Sequence, residues 1–185
     1  MPEGARSWTR AAVLALPDDG KRYELVDGEL LVSPSPRPRH QFAVVAFYDR
    51  IAPYVRANQL GTVLFPPADL DLKSEQLLQP DLFVLDIAPG SGFDDWTEAG
   101  IPRLVIEVLS PSTARFDRVT KRRRYQRSGV PTYWIVDLDA RLVEEWAPGS
   151  EAPHIVDALL TWQPVPAVPG LQIDLPACFR EIWRD

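Results

Sequence analysis

Asp81, Glu107 and Lys121 are the side chains in this sequence whose types and spacing could do chemistry together. Glu107 stands inside the apolar run LVIEVL at 104–109. A continuous run of this length reads as a strand covered on both faces. An ionised carboxylate buried there costs several kcal/mol, by rough estimate, unless it is paired, protonated or bound to a metal. Asp81 follows Pro80 in a second strand-like run, with 79–85 read as the strand. Alternation puts Asp81 on the face of Phe83 and Leu85, and Glu107 on the face of Val105 and Leu109. If the two strands are sheet neighbours, the carboxylates meet, and repulsion either protonates one or draws a cation between them. A hard divalent ion prefers carboxylate, carbonyl and water oxygens, and magnesium typically takes one or two protein carboxylates. Asp81, Glu107 and the carbonyl of Val108 would form a half-shell for Mg²⁺, with Mn²⁺ as the alternative. Taken singly, each acid has a plainer reading: Asp81 as a cap or turn residue after proline, Glu107 as one half of a structural ion pair.

The lysine comes from the segment RFDRVTKRRRYQR at 115–127. Asp117, Lys121 and Tyr125 fall at i, i+4 and i+8, one stripe of a helix. If that stripe faces the sheet, Lys121 points at the acidic pair, while Arg118, Arg122 and Arg123 lie on flanking or outer faces within reach of phosphates. The segment holds seven Lys or Arg against one Asp, a local charge of +6, so the rest of a chain of net charge -6 carries -12. Such a run is either a solvated helix face or a phosphate-facing patch on an acidic body.

These residues resemble a known family. PD at 80–81, EVLSPST at 107–113, D-x3-K-x3-Y at 117–125 and GVPTYWIVD at 129–137 are similar to the restriction-endonuclease-like PD-(D/E)XK nuclease superfamily, and within it to the Uma-two branch. The resemblance runs from YELVDGEL at 23–30 through YWIVD at 133–137, most of the chain. It implies a metal-dependent phosphodiesterase site with Asp81 and Glu107 as metal ligands and Lys121 as the catalytic lysine. The superfamily signature places lysine two residues after the glutamate, where this chain has Leu109. That substitution either disarms the site or moves the lysine to the following helix, where Lys121 fits. Glu24 and Glu29 also match the branch's pattern. Glu24 reads as an extra ligand or base, or as an exposed hairpin charge. His40 matches too, and by position it reads as a helix-terminal surface histidine.

Several elements must position these groups. SWTRAAVLAL at 7–16 suggests a short helix capped by Ser7 and stopped by Pro17 and Gly20. Asp27-Gly28 between two apolar runs is a two-residue hairpin signal. After the proline-rich SPSPRPR, a helix is expected over 40–59 with Val44, Phe47, Ile51 and Val55 on one face, kinked or shortened at Pro53. TVLFP, ADLDL and QPDLFVLD read as short strands, and a polar connection follows at about 88–102. The basic helix leads into strands TYWIVDL and LVEEWA, and TWQPVPAVPGLQIDL reads as one or two edge strands broken by proline. The expected fold is α/β: a single domain over 1–185 with a mixed central sheet flanked by helices, a restriction-endonuclease-like core and an N-terminal β-hairpin.

Composition narrows the function. A chain of 185 residues, 45% hydrophobic and 25% charged, can bury a substantial core. No apolar run approaches the ~18 residues of a membrane span, and MPEGARSWTR lacks the apolar core of a signal peptide. A lone cysteine forms no internal disulfide, so a cytoplasmic location is expected. Two separated histidines and one cysteine argue against structural zinc. The function expected is a magnesium-dependent endonuclease acting on nucleic acid, DNA before RNA. The alternative from another class is a catalytically silent nucleic-acid- or protein-binding module on the same fold. A glycosidase pair of carboxylates ranks below both, because the basic helix beside them suits phosphate rather than sugar. No segment announces an interface, although cutting both strands of a duplex would suit a homodimer.

Overall fold

The computed structural model describes residues 7–72, 76–87 and 96–185. Its centre is a six-stranded sheet built from β3 (Thr62–Leu64), β4 (Leu82–Leu85), β5 (Leu104–Val108), β6 (Tyr133–Asp137), β7 (Leu142–Trp146) and β8 (His154–Val156), in that order. Only β5 and β6 run parallel; every other neighbouring pair is antiparallel. A parallel pair needs a long crossover, and the basic segment supplies it as helix α3 (Ala114–Phe116), a π-helical turn (Asp117–Lys121) and helix α4 (Arg122–Arg127).

The sheet is covered on both sides, which explains why β4 and β5 are buried at every position. On one face, Leu82, Val84, Leu104, Ile106 and Val108 pack beneath helix α2 (Pro38–Ala57), the ribbon of β9 (Leu159–Trp162) with β10 (Leu171–Asp174), and helix α5 (Leu175–Trp183). Phe47, Ile51 and Val55 are the α2 contacts expected from spacing. The helix runs past Pro53 to Ala57 and is not shortened there. On the opposite face, Phe83, Leu85, Val105, Tyr133 and Ile135 pack against Tyr125 of α4, Val26 of the hairpin, and Leu70 and Leu78.

The hairpin of β1 (Arg22–Val26) and β2 (Glu29–Ser33) turns at Asp27 and Gly28, whose φ of 52° and 82° give the doubly positive backbone that this two-residue turn requires. It is a sheet of its own, tied to the body through the Leu25–Leu77 bridge. Helix α1 (Arg10–Leu14) is capped by Thr9, whose hydroxyl accepts from the Ala12 N–H at 3.2 Å; this corrects the expectation of Ser7. The strand expected over 79–85 begins only at Leu82: the Val108 N–H, which the register brings opposite Pro80, donates to the Asp81 carboxylate instead of to backbone. ADLDL contributes only an isolated bridge between Leu70 and Leu78. Of the connection expected at 88–102, residues 88–95 lie outside the described residues, and Trp96–Glu98 form a 3-10 turn. Beyond the expected elements are β8 and α5, the latter capped by Asp174 accepting from the Ala177 N–H at 2.8 Å. At Gly61 the φ is 116° and an added Cβ would lie 1.9 Å from the Leu85 carbonyl oxygen, so a glycine lets β3 approach the end of β4.

Candidate active site

Antiparallel register pairs Leu82 with Ile106, so Asp81 comes opposite Glu107. The odd-numbered N–H groups of Val105 and Leu109 bond toward β6, so even-numbered backbone groups of β5 point toward β4. Val108 follows that rule: its N–H donates to Asp81 Oδ2 at 2.9 Å. The N–H and C=O of one extended residue leave the same edge, which turns the Val108 carbonyl toward the Asp81 side as well. Asp81, Glu107 and Val108 line one cavity of about 550 Å³. Its walls include 109–113, after β5, and 137–139, after β6. The cavity therefore lies outside the carboxyl ends of the parallel pair, the usual ligand crevice of sheets with parallel strands.

Two linked clusters hold the acids. Asp81 accepts from Arg22 Nη1 at 3.0 Å and meets His40 Nε2 at 3.0 Å, besides the Val108 N–H. Burial alone would raise its pKa; the His40 hydrogen bond and charge, the Arg22 charge and the Val108 N–H outweigh burial and hold it at about 2. In the second cluster, Lys121 Nζ donates to Glu107 Oε1 at 2.9 Å and lies 2.9 Å from Glu24 Oε1 and 3.5 Å from Asp117 Oδ1. The Tyr125 hydroxyl also donates to Glu107 Oε1, at 3.1 Å. Glu24, Asp81, Glu107, Asp117 and Lys121 are only 1–4% exposed.

One lysine is shared by three carboxylates, and that asymmetry sets the protonation of the cluster. Burial disfavours the Lys121 cation, but Glu107, Glu24 and Asp117 together raise its pKa well above the usual value. Glu107 receives only a share of that lysine. Burial, with repulsion from Asp81, Asp117 and Glu24, lifts its pKa well above 4.5 against the pull of Lys121. The opposite fates of Asp81 and Glu107 follow from their partners: Asp81 accepts from Arg22 and the Val108 N–H and meets His40, whereas Glu107 shares one lysine with two other acids. Among the described residues, no three His, Cys, Asp or Glu side chains converge to hold a metal by themselves. The candidate donors among the cavity's lining groups, the Asp81 and Glu107 carboxylates and the Val108 carbonyl, are all hard oxygens, in a cluster with more acid than base. That set fits magnesium, which completes its shell with water.

The remaining candidates separate. Asp117 and Tyr125 join Lys121 on the inward stripe. The π turn between Asp117 and Lys121 is closed by the Arg122 N–H donating to the Asp117 carbonyl, which also accepts from the Tyr133 hydroxyl at 3.2 Å. Glu24 is not an exposed hairpin charge: it is buried and accepts from the Gln79 N–H at 2.9 Å, whereas Glu29 is exposed. His40 is not a surface histidine, since its side chain is 11% exposed and faces Asp81. Arg118 lines the cavity but is bound to Glu144 at 2.6 Å and Asp137 at 2.8 Å. Arg122 stacks over Trp146, 4.5 Å from the ring centre, and bonds Gln126, while Arg123 is exposed; neither lines the cavity. Leu109 also lines it, at the place where the superfamily signature puts lysine. Arg22 was not singled out from sequence. Its signal was R-x-E at 22–24, which places both side chains on one face of a strand.

Comparison with known proteins agrees with this architecture. The structure superposes with a TM-score of 0.69 on the crystal structure of a protein from Anabaena variabilis described as "a putative nuclease belonging to DUF820", at 18% sequence identity over 95% of this chain and 99% of that one. That likeness establishes the fold. Among curated proteins none matches this chain. No helix among the described residues is long and apolar enough to cross a membrane. Residues 10–176, and with them every acid, histidine and lysine of the two clusters, match the Uma2 family, described as "Putative restriction endonuclease", and the chain belongs to that family.

Proposed function

We propose that this chain is an endonuclease of the PD-(D/E)XK type that hydrolyses phosphodiester bonds of DNA with a divalent ion, Mg²⁺ or Mn²⁺, held by Asp81, Glu107 and the Val108 carbonyl. The observation that carries the reading is the pairing of Asp81 and Glu107 at one cavity, with Glu107 left short of positive charge. A bound divalent ion would supply Lewis-acid polarisation of the phosphodiester and acidification of water. The protein supplies orientation. Arg22, His40 and the Val108 N–H fix the Asp81 carboxylate, while Tyr125 and Lys121 fix that of Glu107. Lys121 neutralises charge developing on the phosphate, or orients the attacking water, from the position left open by Leu109. Glu24 and Asp117 hold Lys121 in place. The family's description supports DNA as the substrate.

A second reading, a silent binding module on the same fold, is favoured by one feature: Lys121 is an internal counter-ion to three carboxylates, Glu24, Glu107 and Asp117. Cleavage assays with and without Mg²⁺ on duplex DNA, single-stranded DNA and RNA decide between them. Metal-dependent cleavage by the wild type that is lost in Glu107→Gln supports the nuclease. Metal-independent products, or none, refute it.

A further inference from the structure

Much of the run of arginines in the sequence is not free to meet a substrate. Within the basic helix, Arg118 is bound to Glu144 and Asp137, Arg124 and Arg127 both pair with Asp27, and Lys121 is buried among acids. Four of the seven cations of 115–127 are thus held in pairs with the protein's own acids, while Arg115 and Arg123 are exposed and line no part of the cavity. At the cavity mouth the situation is reversed. Arg37 and Arg39 line the cavity, are exposed, and make no ion pair among the described residues. They stand on the proline-spaced strap SPSPRPR at 33–39, which runs from the last residue of β2 into the first turn of α2, where Arg39 sits.

From these observations we infer that the 33–39 strap, through Arg37 and Arg39, is the principal phosphate-binding element for the nucleic-acid backbone; the inference rests on the nuclease reading above and names the part that grips its substrate. The strap is stiff. Each proline fixes its own φ and biases the residue before it toward extended backbone. Arg37, before Pro38, has φ -70° and ψ 154°, the polyproline II geometry. A guanidinium carried on such a segment loses little backbone freedom when it binds. Arg39 is held differently, with its Cζ 3.5 Å from the centre of the Trp183 ring at the end of α5. Stacking on an indole uses the face of the guanidinium and leaves its N–H edge free, and that edge matches phosphate oxygens. The two arginines thus flank the entrance to a cavity whose reactive carboxylates lie inside it.

Binding of a short fluorescent DNA duplex, measured by anisotropy in EDTA over a range of salt concentrations, tests this. Each phosphate contact contributes ~0.9 to the slope of log K against log salt. Arg37→Ala with Arg39→Ala should therefore flatten the slope by about 2 and weaken binding at low salt at least tenfold. Both side chains are exposed, so the variant is expected to fold, and its circular dichroism should match the wild type. Arg56→Ala with Arg180→Ala removes the same charge from exposed sites away from the cavity and should leave the slope unchanged. Arg37→Lys with Arg39→Lys should restore the slope. An unchanged slope in the strap variant, or equal flattening in the distant pair, overturns the inference. If the wild type cuts DNA yet binds it independently of the strap, the inference alone fails; if the wild type neither binds nor cuts any nucleic acid, the nuclease reading fails with it.

Discussion

At the scale of single residues, Glu107 works against the stability of the fold. Its carboxyl is raised in the folded protein, so the native state binds a proton that the unfolded chain has released. Its favourable contribution is complete below the unfolded value of 4.5 and is lost as pH rises through the folded pKa. Asp81 has the opposite sign. Its folded pKa of about 2 lies below 3.8, so its contribution, about 2 kcal/mol by linkage, is present above 3.8 and lost as pH falls through 2. Glu107→Gln keeps the Oε1 acceptor for Lys121 and Tyr125 while removing the charge. It should melt higher than the wild type near pH 8, by ~2–4 °C for each kcal/mol relieved, and the two curves should converge below pH 4.5. Calorimetry across pH checks this, and a variant destabilised at pH 8 would show that Lys121 needs that charge. Magnesium should raise the wild-type melting temperature, by ~2.7 kcal/mol equivalent at 100 times its Kd, and leave Glu107→Gln nearly unmoved. Asp81, Glu107 and Lys121 stood out in the sequence because a charge inside an apolar run, or on an inward helical stripe, contradicts its surroundings. His40 and Glu24 did not, because nothing local to a helix start or hairpin tells which distant strand end it will face.

At the scale of elements, the legible parts were those whose period is long enough to repeat. Strands β4 to β7, the α2 helix and the Asp27-Gly28 turn all carry such patterns. Strand β8 has three residues, too few for alternation to register. Helix α5 did carry a signal, since Leu175, Cys178, Phe179 and Ile182 fall at i, i+3, i+4 and i+7. The prolines just before it drew the reading toward broken strands. Helix spacing alone also hid the π turn, which follows from long-range support such as the Tyr133 hydroxyl on the Asp117 carbonyl. Tyr133→Phe should therefore cost about 1 kcal/mol in denaturant unfolding, one buried hydrogen bond. A larger element effect is expected at Gly61. Gly61→Ala drives a Cβ into the Leu85 carbonyl at a positive φ, and should destabilise by on the order of 3 kcal/mol by strain at β3. A urea midpoint equal to the wild type would refute that.

At the scale of the whole molecule, the contrast between a +6 helix and a -12 remainder is largely erased by folding. Asp27, Asp137, Glu144 and the buried acids draw most of the helix's charge into internal pairs. Linear charge runs report composition, and a surface field depends on which charges remain unpaired. Seven exposed cations on DNA would give a salt slope near -6, whereas the strap with one or two helpers gives about -3 to -4. A measured slope near -6 would return the substrate to the helix.

The separateness of the hairpin has a consequence for the order in which the molecule comes apart. Arg22 and Glu24 reach the acids from a two-stranded ribbon that shares no strand pairing with the central sheet. Its amides should open as their own foldon, exchanging with solvent at a lower free energy than those of β5 and β6. Each such opening strips the candidate centre of two of its charged members while the sheet stays intact. In rising urea, catalysis should fade before the sheet's circular dichroism does, and hydrogen exchange should show the hairpin as the first segment to lose protection. Coincident transitions, with uniform protection across hairpin and sheet, would mean that the ribbon and the body are a single cooperative unit.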